Sequence, residues 1–149
     1  MIIGLVPWWL ARRPALLAVW TGGLADWLGA WLILEGLGLA GWCVALFWRE
    51  GQGSPLPLAP PTRFVAVGPY RFVRNPMMLG MWVILLGEAL LYNARAVWLY
   101  AALITALGYL YIVAWEEPEL QRRFSPLYLE YKRQVPRWLP RPFSRAPSL

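Results

Sequence analysis

The chain has 149 residues, of which 59% are hydrophobic and only 15% charged. Soluble domains average about 45–50% apolar and about 25% charged residues. The apolar surplus is more than a 17.0 kDa core can hide, a mean hydropathy of +0.45 points the same way, and the composition reads as a small integral membrane protein. The absence of histidine excludes an imidazole base, a His-ligated metal and a Ser-His triad. A single cysteine, Cys43, excludes an intrachain disulfide and a zinc ribbon, and its apolar neighbours suit a small buried hydrophobe. The net charge of +6 reads as cytoplasmic loops facing anionic headgroups, with no nucleic-acid partner expected.

Along the chain, Arg12-Arg13 precedes an apolar stretch from Pro14 to Ala25 that is short for a crossing, and Thr21-Gly22-Gly23 to Asp26 reads as a turn. The first residues lack a basic n-region and a small-residue cleavage site, so no signal peptide is expected. Trp27 to Trp48 holds one charge, Glu35, in 22 residues. At 1.5 Å per residue this spans the roughly 30 Å hydrocarbon core, with tryptophans near both ends. Met77–Tyr92 and Ala96–Trp115 are apolar runs joined by Asn93-Ala94-Arg95, which predicts a tight antiparallel hairpin of helices.

The intervening loop carries Arg49, Arg63, Arg71 and Arg74 against Glu50, and the tail after Trp115 carries seven basic residues against four acidic ones. The hairpin returns both segments to one side, the cytoplasm by the positive-inside rule. If Arg12-Arg13 lies there too, residues 14–48 cross twice and the bundle has four helices. Three helices with an interfacial first segment is the alternative. Pro55, Pro57, Pro60 and Pro61 exclude regular helix early in the loop, whereas Asn75-Pro76 suits a helix start. In the tail, Ser125-Pro126 can open a second helix, and Leu120, Phe124, Leu127, Tyr131 and Val135 form one apolar stripe opposite Arg122, Arg123, Lys132 and Arg133. The expected architecture is all-α: a multi-pass transmembrane bundle of about four helices, with C-terminal amphipathic helices on the membrane surface or over the loop.

Four groups of residues can carry chemistry. Glu116-Glu117 closes a transmembrane helix, where carboxylates oppose the helix dipole unless they are paired. Arg71 and Arg74, beside the Gly68-Pro69 turn and ahead of a helix start, can hold an anion or simply anchor the cytoplasmic side. Gly36-Leu37-Gly38 within a helix permits either close helix packing or close approach of a ligand's ring. Glu35 and Glu88 are intramembrane carboxylates, costly unless paired or facing a polar cavity. Glu88 falls near the far interface, and Glu35 nearer mid-membrane is the better cavity residue or arginine partner.

The run Gly68-Pro69-Tyr70-Arg71-Phe72-Val73-Arg74-Asn75-Pro76-Met77-Met78-Leu79-Gly80 is followed, after the hairpin, by Glu116-Glu117-Pro118-Glu119-Leu120. Phe124, Tyr128, Tyr131 and Val135-Pro136-Arg137-Trp138-Leu139-Pro140 come next. Over residues 60–140 this resembles the membrane methyltransferases typified by isoprenylcysteine carboxyl methyltransferase and phosphatidylethanolamine N-methyltransferase. The resemblance implies a single methyltransferase-like domain over 1–149, divided into N-terminal helices (14–48), a cytoplasmic loop (49–76), a helical hairpin (77–115) and a cytoplasmic tail (116–149). It implies S-adenosyl-L-methionine as cofactor, held in a cytoplasmic pocket of C-terminal helices and loops. Glu116 and Glu117 match the paired glutamates. Gly68, Tyr70, Arg71, Arg74, Asn75, Pro76, Leu79 and Gly80 match the motif closing around the cofactor, and Gly36 and Gly38 match a Gly-x-Gly of some phospholipid methyltransferases. Arg74, Asn75 and Glu35 are the candidate catalytic residues, with no metal.

Asn-Pro-Met at 75–77 is typical of phospholipid-type members, whereas many carboxyl methyltransferase relatives carry histidine at Asn75. Met78 replaces a usual tyrosine, and Phe124-Ser125 replaces Phe-Gly. The acceptor class therefore stays open between a phospholipid amine and the carboxylate of a lipidated or small hydrophobic substrate. The competing readings are an NADPH-dependent enzyme like the sterol reductases and a non-catalytic membrane scaffold. The preference for Arg over Lys is associated with a G+C-rich bacterial source and hence an inner-membrane location.

Overall fold

The computed structural model describes residues 4–11, 22–52 and 62–140. Residues 12–21, which hold most of the expected short first crossing, lie outside the described residues, as do Pro55, Pro57, Pro60 and Pro61. Every regular element among the described residues is helical: α1 (Leu5–Ala11), α2 (Leu24–Arg49), a 3-10 turn (Gly68–Arg71), α3 (Pro76–Tyr92), α4 (Arg95–Tyr111), a π segment (Ile112–Glu116), α5 (Glu117–Phe124) and α6 (Leu127–Gln134). Pro76 opens α3, as the missing N–H of proline favours. Asn93, at φ 42°, turns α3 into α4 using the left-handed conformation asparagine tolerates.

Two helical runs, Leu24–Arg49 (26 residues) and Arg95–Phe124 (30 residues), are long and apolar enough to cross a membrane, and the 17-residue α3 is a shorter apolar helix. Their outward faces are apolar. On α4, Leu99, Leu103, Leu107 and Leu110 recur at helical spacing and are all more than half exposed, and α2 exposes Trp27, Trp31, Leu34, Trp42 and Trp48. Such a continuous apolar exterior is stable against lipid and not against water. This is a membrane protein.

The described residues fall into two compact units, those within 1–38 and 80–109 and those within 39–79 and 110–140. In the first, Leu85 and Ala89 of α3 pack on Ala94, Val97 and Ala101, the small residues letting the hairpin helices close up. On the other side of α3 the backbones themselves touch α2. A Cβ added to Gly29 would lie 2.8 Å from the Gly87 carbonyl oxygen, and one on Gly36 would lie 2.6 Å from that of Gly80. The pairs 29 with 87 and 36 with 80 step seven residues in opposite directions, which is an antiparallel glycine seam. Glu88 is buried in this unit and accepts a hydrogen bond from the Gly4 backbone N–H.

The second unit has two small cores. Cys43, Val65 and Tyr70 form one, with Leu39, Leu46, Phe47 and Met77 around them. Tyr128, Tyr131 and Val135 form the other, with Phe64, Ala66, Leu120 and Phe124 packed against them. Phe64 makes edge-on contacts with Tyr128 and Tyr131, at centroid distances of 5.9 and 5.0 Å.

Two expectations for the tail need correction. The helix does not stop at Trp115. It widens into the π segment and continues as α5, with Pro118 in its first turn. A proline inside a regular helix would clash with the carbonyl four residues back, and a widened turn relieves that clash. Glu116 and Glu117 therefore do not close a helix. The tail's apolar stripe is also not continuous. Ser125 is extended at ψ 137°, which resets the helical phase, so Leu127 points outward at 54% exposure and Tyr128 takes the buried position.

Candidate functional site

The second unit gathers most of the candidate residues around one carboxylate. Glu117, in the first turn of α5, is 4% exposed. Its Oε1 accepts from Arg74 Nη1 at 3.0 Å and from Arg137 Nε at 2.7 Å, and its Oε2 accepts from Arg137 Nη2 at 2.9 Å. Lys132 Nζ stands 3.8 Å from Oε2. Arg137 thus grips the carboxylate with both arms of its fork, the geometry of the strongest carboxylate pairs. Glu117 is the tie between the segment ahead of α3, the helix after the π segment and the end of α6.

Backbone and tyrosine contacts fix the same three segments. Gly68 opens the 3-10 turn at φ +58°, the left-handed region that favours glycine, and a Cβ there would stand 2.7 Å from Leu46 Cδ1. The turn buries Tyr70, whose ring meets Phe47 edge-on at 5.5 Å and whose hydroxyl hydrogen-bonds the Cys43 side chain. The Tyr131 hydroxyl donates to the Tyr70 carbonyl at 2.6 Å, and the Arg74 backbone N–H donates to Pro136 O at 2.9 Å. Burial first, then neighbouring side chains, hold the Tyr70, Tyr128 and Tyr131 hydroxyls above the ordinary tyrosine range. For Tyr70 the neighbours are Cys43, Glu116 and Tyr131, and for Tyr128 the Glu117 charge is the next cause.

Around this tie the site keeps unused hydrogen-bonding capacity. Arg74 Nε and Asn75 Nδ2 are buried donors with no partner among the described residues. Glu116, half-buried and close enough to Tyr70 and Tyr128 to act on both, makes no ion pair among the described residues. Buried orphan donors cost stability, so each calls for an acceptor, whether an ordered water, an ion or a ligand. Donors at Arg74 and Asn75 with an acceptor at Glu116 match a molecule carrying both a carboxylate or ring nitrogen and hydroxyl or amino groups. Beside Glu117 lies a cleft of about 470 Å³, lined by Pro118, Gln121, Arg122, Ser125 and Lys132 with Val113.

The remaining candidates are placed as follows. Pro76 is buried at the start of α3, Leu79 is half-buried, and the Leu79 N–H donates to Asn75 O at 3.1 Å. Arg71 is exposed. In the first unit, Gly36 and Gly80 meet in the glycine seam, whereas a Cβ on Gly38 would have nothing within 4 Å among the described residues. Glu35 is exposed on α2 and makes no ion pair among the described residues. Lys132 and Arg137 belong to the site and were not among the residues expected from the sequence. Arg137 stood within the Pro-Arg-Trp-Leu-Pro run that carried the resemblance, and nothing else in the sequence marked it.

Comparison with known proteins gives this geometry its context. No curated protein and no solved structure matches the chain. The family model described as phospholipid methyltransferase matches residues 17–126. That match spans the glycine seam, the segment ahead of α3, the hairpin, and Glu116-Glu117. Since it covers well over half of the 149 residues, the chain belongs to the phospholipid methyltransferase family.

Proposed function

We propose that the protein transfers a methyl group from S-adenosyl-L-methionine to a lipophilic acceptor embedded in the membrane, a phospholipid amine before a carboxylate. The observation that carries the reading is the pairing of orphan buried donors, Arg74 Nε and Asn75 Nδ2, with an uncommitted acceptor at Glu116. Arg74 and Asn75 suit the cofactor's carboxylate or adenine nitrogens, and Glu116 suits its ribose hydroxyls or amino group. Glu117, already saturated by Arg74 and Arg137, acts as the tie that holds Arg74 in place and not as a direct ligand. When bound, the cofactor's sulfonium supplies a methyl group electrophilic enough to transfer without metal assistance. The chain's share is to hold the donor and to bring the acceptor in line with it, and positioning of that kind supplies much of the rate in group transfer. Asn-Pro-Met at 75–77 favours the phospholipid side of the choice.

In this reading the loop 49–76 and the tail face the cytoplasm, where the polar cofactor enters, and the acceptor enters sideways from lipid. The test is binding of S-adenosylhomocysteine to the purified full chain in detergent, for wild type, Glu116→Gln and Asn75→Ala. Saturable binding by wild type, weakened about tenfold or more in each variant, is the expected result for lost charge-assisted or buried hydrogen bonds. Binding of NADPH with no binding of the methyl-donor product would overturn the proposal.

A further inference from the structure

Resting on that reading, we infer that the cleft beside Glu117 is the subsite for the acceptor's phosphodiester, with Lys132 and Arg122 as its cations and Ser125 and Gln121 as neutral donors. Among the described residues Glu117 is the only carboxylate lining the cleft, and Arg74 and Arg137 already engage it. Lys132 stands 3.8 Å from Oε2, beyond hydrogen-bond distance, so its three N–H donors remain available to a ligand. Arg122 has an equally loose tie, 3.8 Å from Glu119 in a solvent-exposed pair one turn away. Exposed pairs of that kind hold little energy and give way to a better anion. With Glu117 neutralised, the cleft presents two positive charges, a hydroxyl and an amide to whatever enters it.

The cleft also has an apolar part to its lining. Val113 lies in the π segment directly after the leucine-lined α4, and Pro118 lies one turn on. Trp115 between them is 68% exposed, which suits the headgroup level where tryptophan collects. A ligand with an anionic centre and an apolar stem therefore uses both kinds of lining. A phosphodiester fits the cations and donors with its two non-bridging oxygens, while its glycerol and first acyl carbons fit Val113 and Pro118. Free inorganic phosphate leaves the apolar lining unused. Arg74 and Asn75, whose spare donors serve the cofactor, do not line the cleft. The two oxygens of Glu117 thus divide the site, Oε1 toward Arg74 and Oε2 toward Lys132.

The test uses the full chain in detergent with three probes: dihexanoyl-phosphatidylethanolamine, dihexanoylglycerol and inorganic phosphate. S-adenosylhomocysteine binding is measured on every sample. Arg122→Gln should weaken the phospholipid about threefold, Lys132→Gln about tenfold and the double variant about thirtyfold, as loss of two exposed charge-assisted contacts predicts, with Lys132 the less exposed of the two. The charge-keeping double variant R122K/K132R should recover most of the affinity. Dihexanoylglycerol should be indifferent to all four. Equal phospholipid binding by wild type and the double variant would overturn the subsite. So would inorganic phosphate binding as tightly as the phospholipid, which makes the cleft a free-anion site. Parallel loss of S-adenosylhomocysteine would assign the cleft to the cofactor instead. Absence of S-adenosylhomocysteine binding in wild type, with the phospholipid pattern intact, would overturn the methyl-donor reading and leave the phosphodiester subsite standing.

Discussion

Replacing Glu117 with glutamine keeps the side chain's shape and removes its charge, which tests whether this carboxylate ties the second unit together. Its side chain is 5% exposed and that of Arg74 is 10% exposed, so their interaction is shielded from solvent. Arg137 is 28% exposed and adds the two shortest bonds. Lys132, 40% exposed at 3.8 Å, is screened and adds a small fraction. Removing one partner of a buried ion pair costs roughly 3–5 kcal/mol, because the other charge stays buried without compensation. The amide oxygen of glutamine still accepts one bond, which places E117Q near 3 kcal/mol, the lower end of that approximate range. For a chain of this size each kcal/mol moves the melting point by about 2–4 °C, so heating in detergent should show a fall of roughly 6–12 °C. Arg137→Gln alone should cost less, and the double variant E117Q/R137Q should cost less than the two single losses combined, since the charges then leave together. A melting point for E117Q within about 1 °C of wild type would refute the tie, since a loss of about 3 kcal/mol should move it several times as far.

Gly36→Ala puts a Cβ 2.6 Å from the Gly80 carbonyl and from Ile84 Cγ1, so α2 and α3 must part, at a cost of about 1–3 kcal/mol in thermal stability. Gly38→Ala, with nothing within 4 Å of the new atom, should match wild type, and equal losses at the two positions would argue against the seam. Tyr131→Phe orphans the Tyr70 carbonyl and should cost about 1–3 kcal/mol in the same assay. Because burial raises the Tyr70, Tyr128 and Tyr131 hydroxyls, the unfolded chain loses these protons first. Their contribution is complete below about pH 10 and falls as pH rises beyond it, so melting points should drop through that region. A flat alkaline profile would contradict this. Cys43 is fully buried and should take up a maleimide only after denaturation, as mass spectrometry of folded and denatured samples can show.

The helices were legible because their signals are local. Apolar runs bounded by Trp27 and Trp48, a two-residue turn at Asn93-Ala94 and Pro76 at a helix start each fix an element without reference to the rest of the chain. Gly36 was visible as a small residue but not its role, since that depends on Gly80, more than forty positions away, arriving opposite it. The same limit explains the site. Glu117 and Arg74 could be singled out, but their pairing with Arg137 joins three separated segments, and a basic residue in a Pro- and Arg-rich tail has no local mark that sets it apart. The stripe through Leu127 failed for a related reason. One extended residue, Ser125, moved every later side chain onto another face.

The π segment acts on the chain as a phase shifter. A helical wheel drawn without interruption from Arg95 would advance about 100° at each residue and carry that phase unbroken into the glutamates. A widened turn absorbs one residue, so each position beyond it takes the angle that its predecessor would have had. Glu117 therefore occupies the direction an unbroken helix would assign to Glu116, and this change of phase turns Glu117 inward toward Arg74 and Arg137 while Trp115 stays outside. Deleting one residue between 112 and 116 would regularise the helix and shorten the chain without rotating α5, whereas straightening the turn at constant length would bring Glu116 into the direction Glu117 now takes and carry Glu117 about 100° further round. Indels and substitutions in this stretch thus have opposite consequences, and the length between the hairpin and the paired glutamates is itself a coded distance.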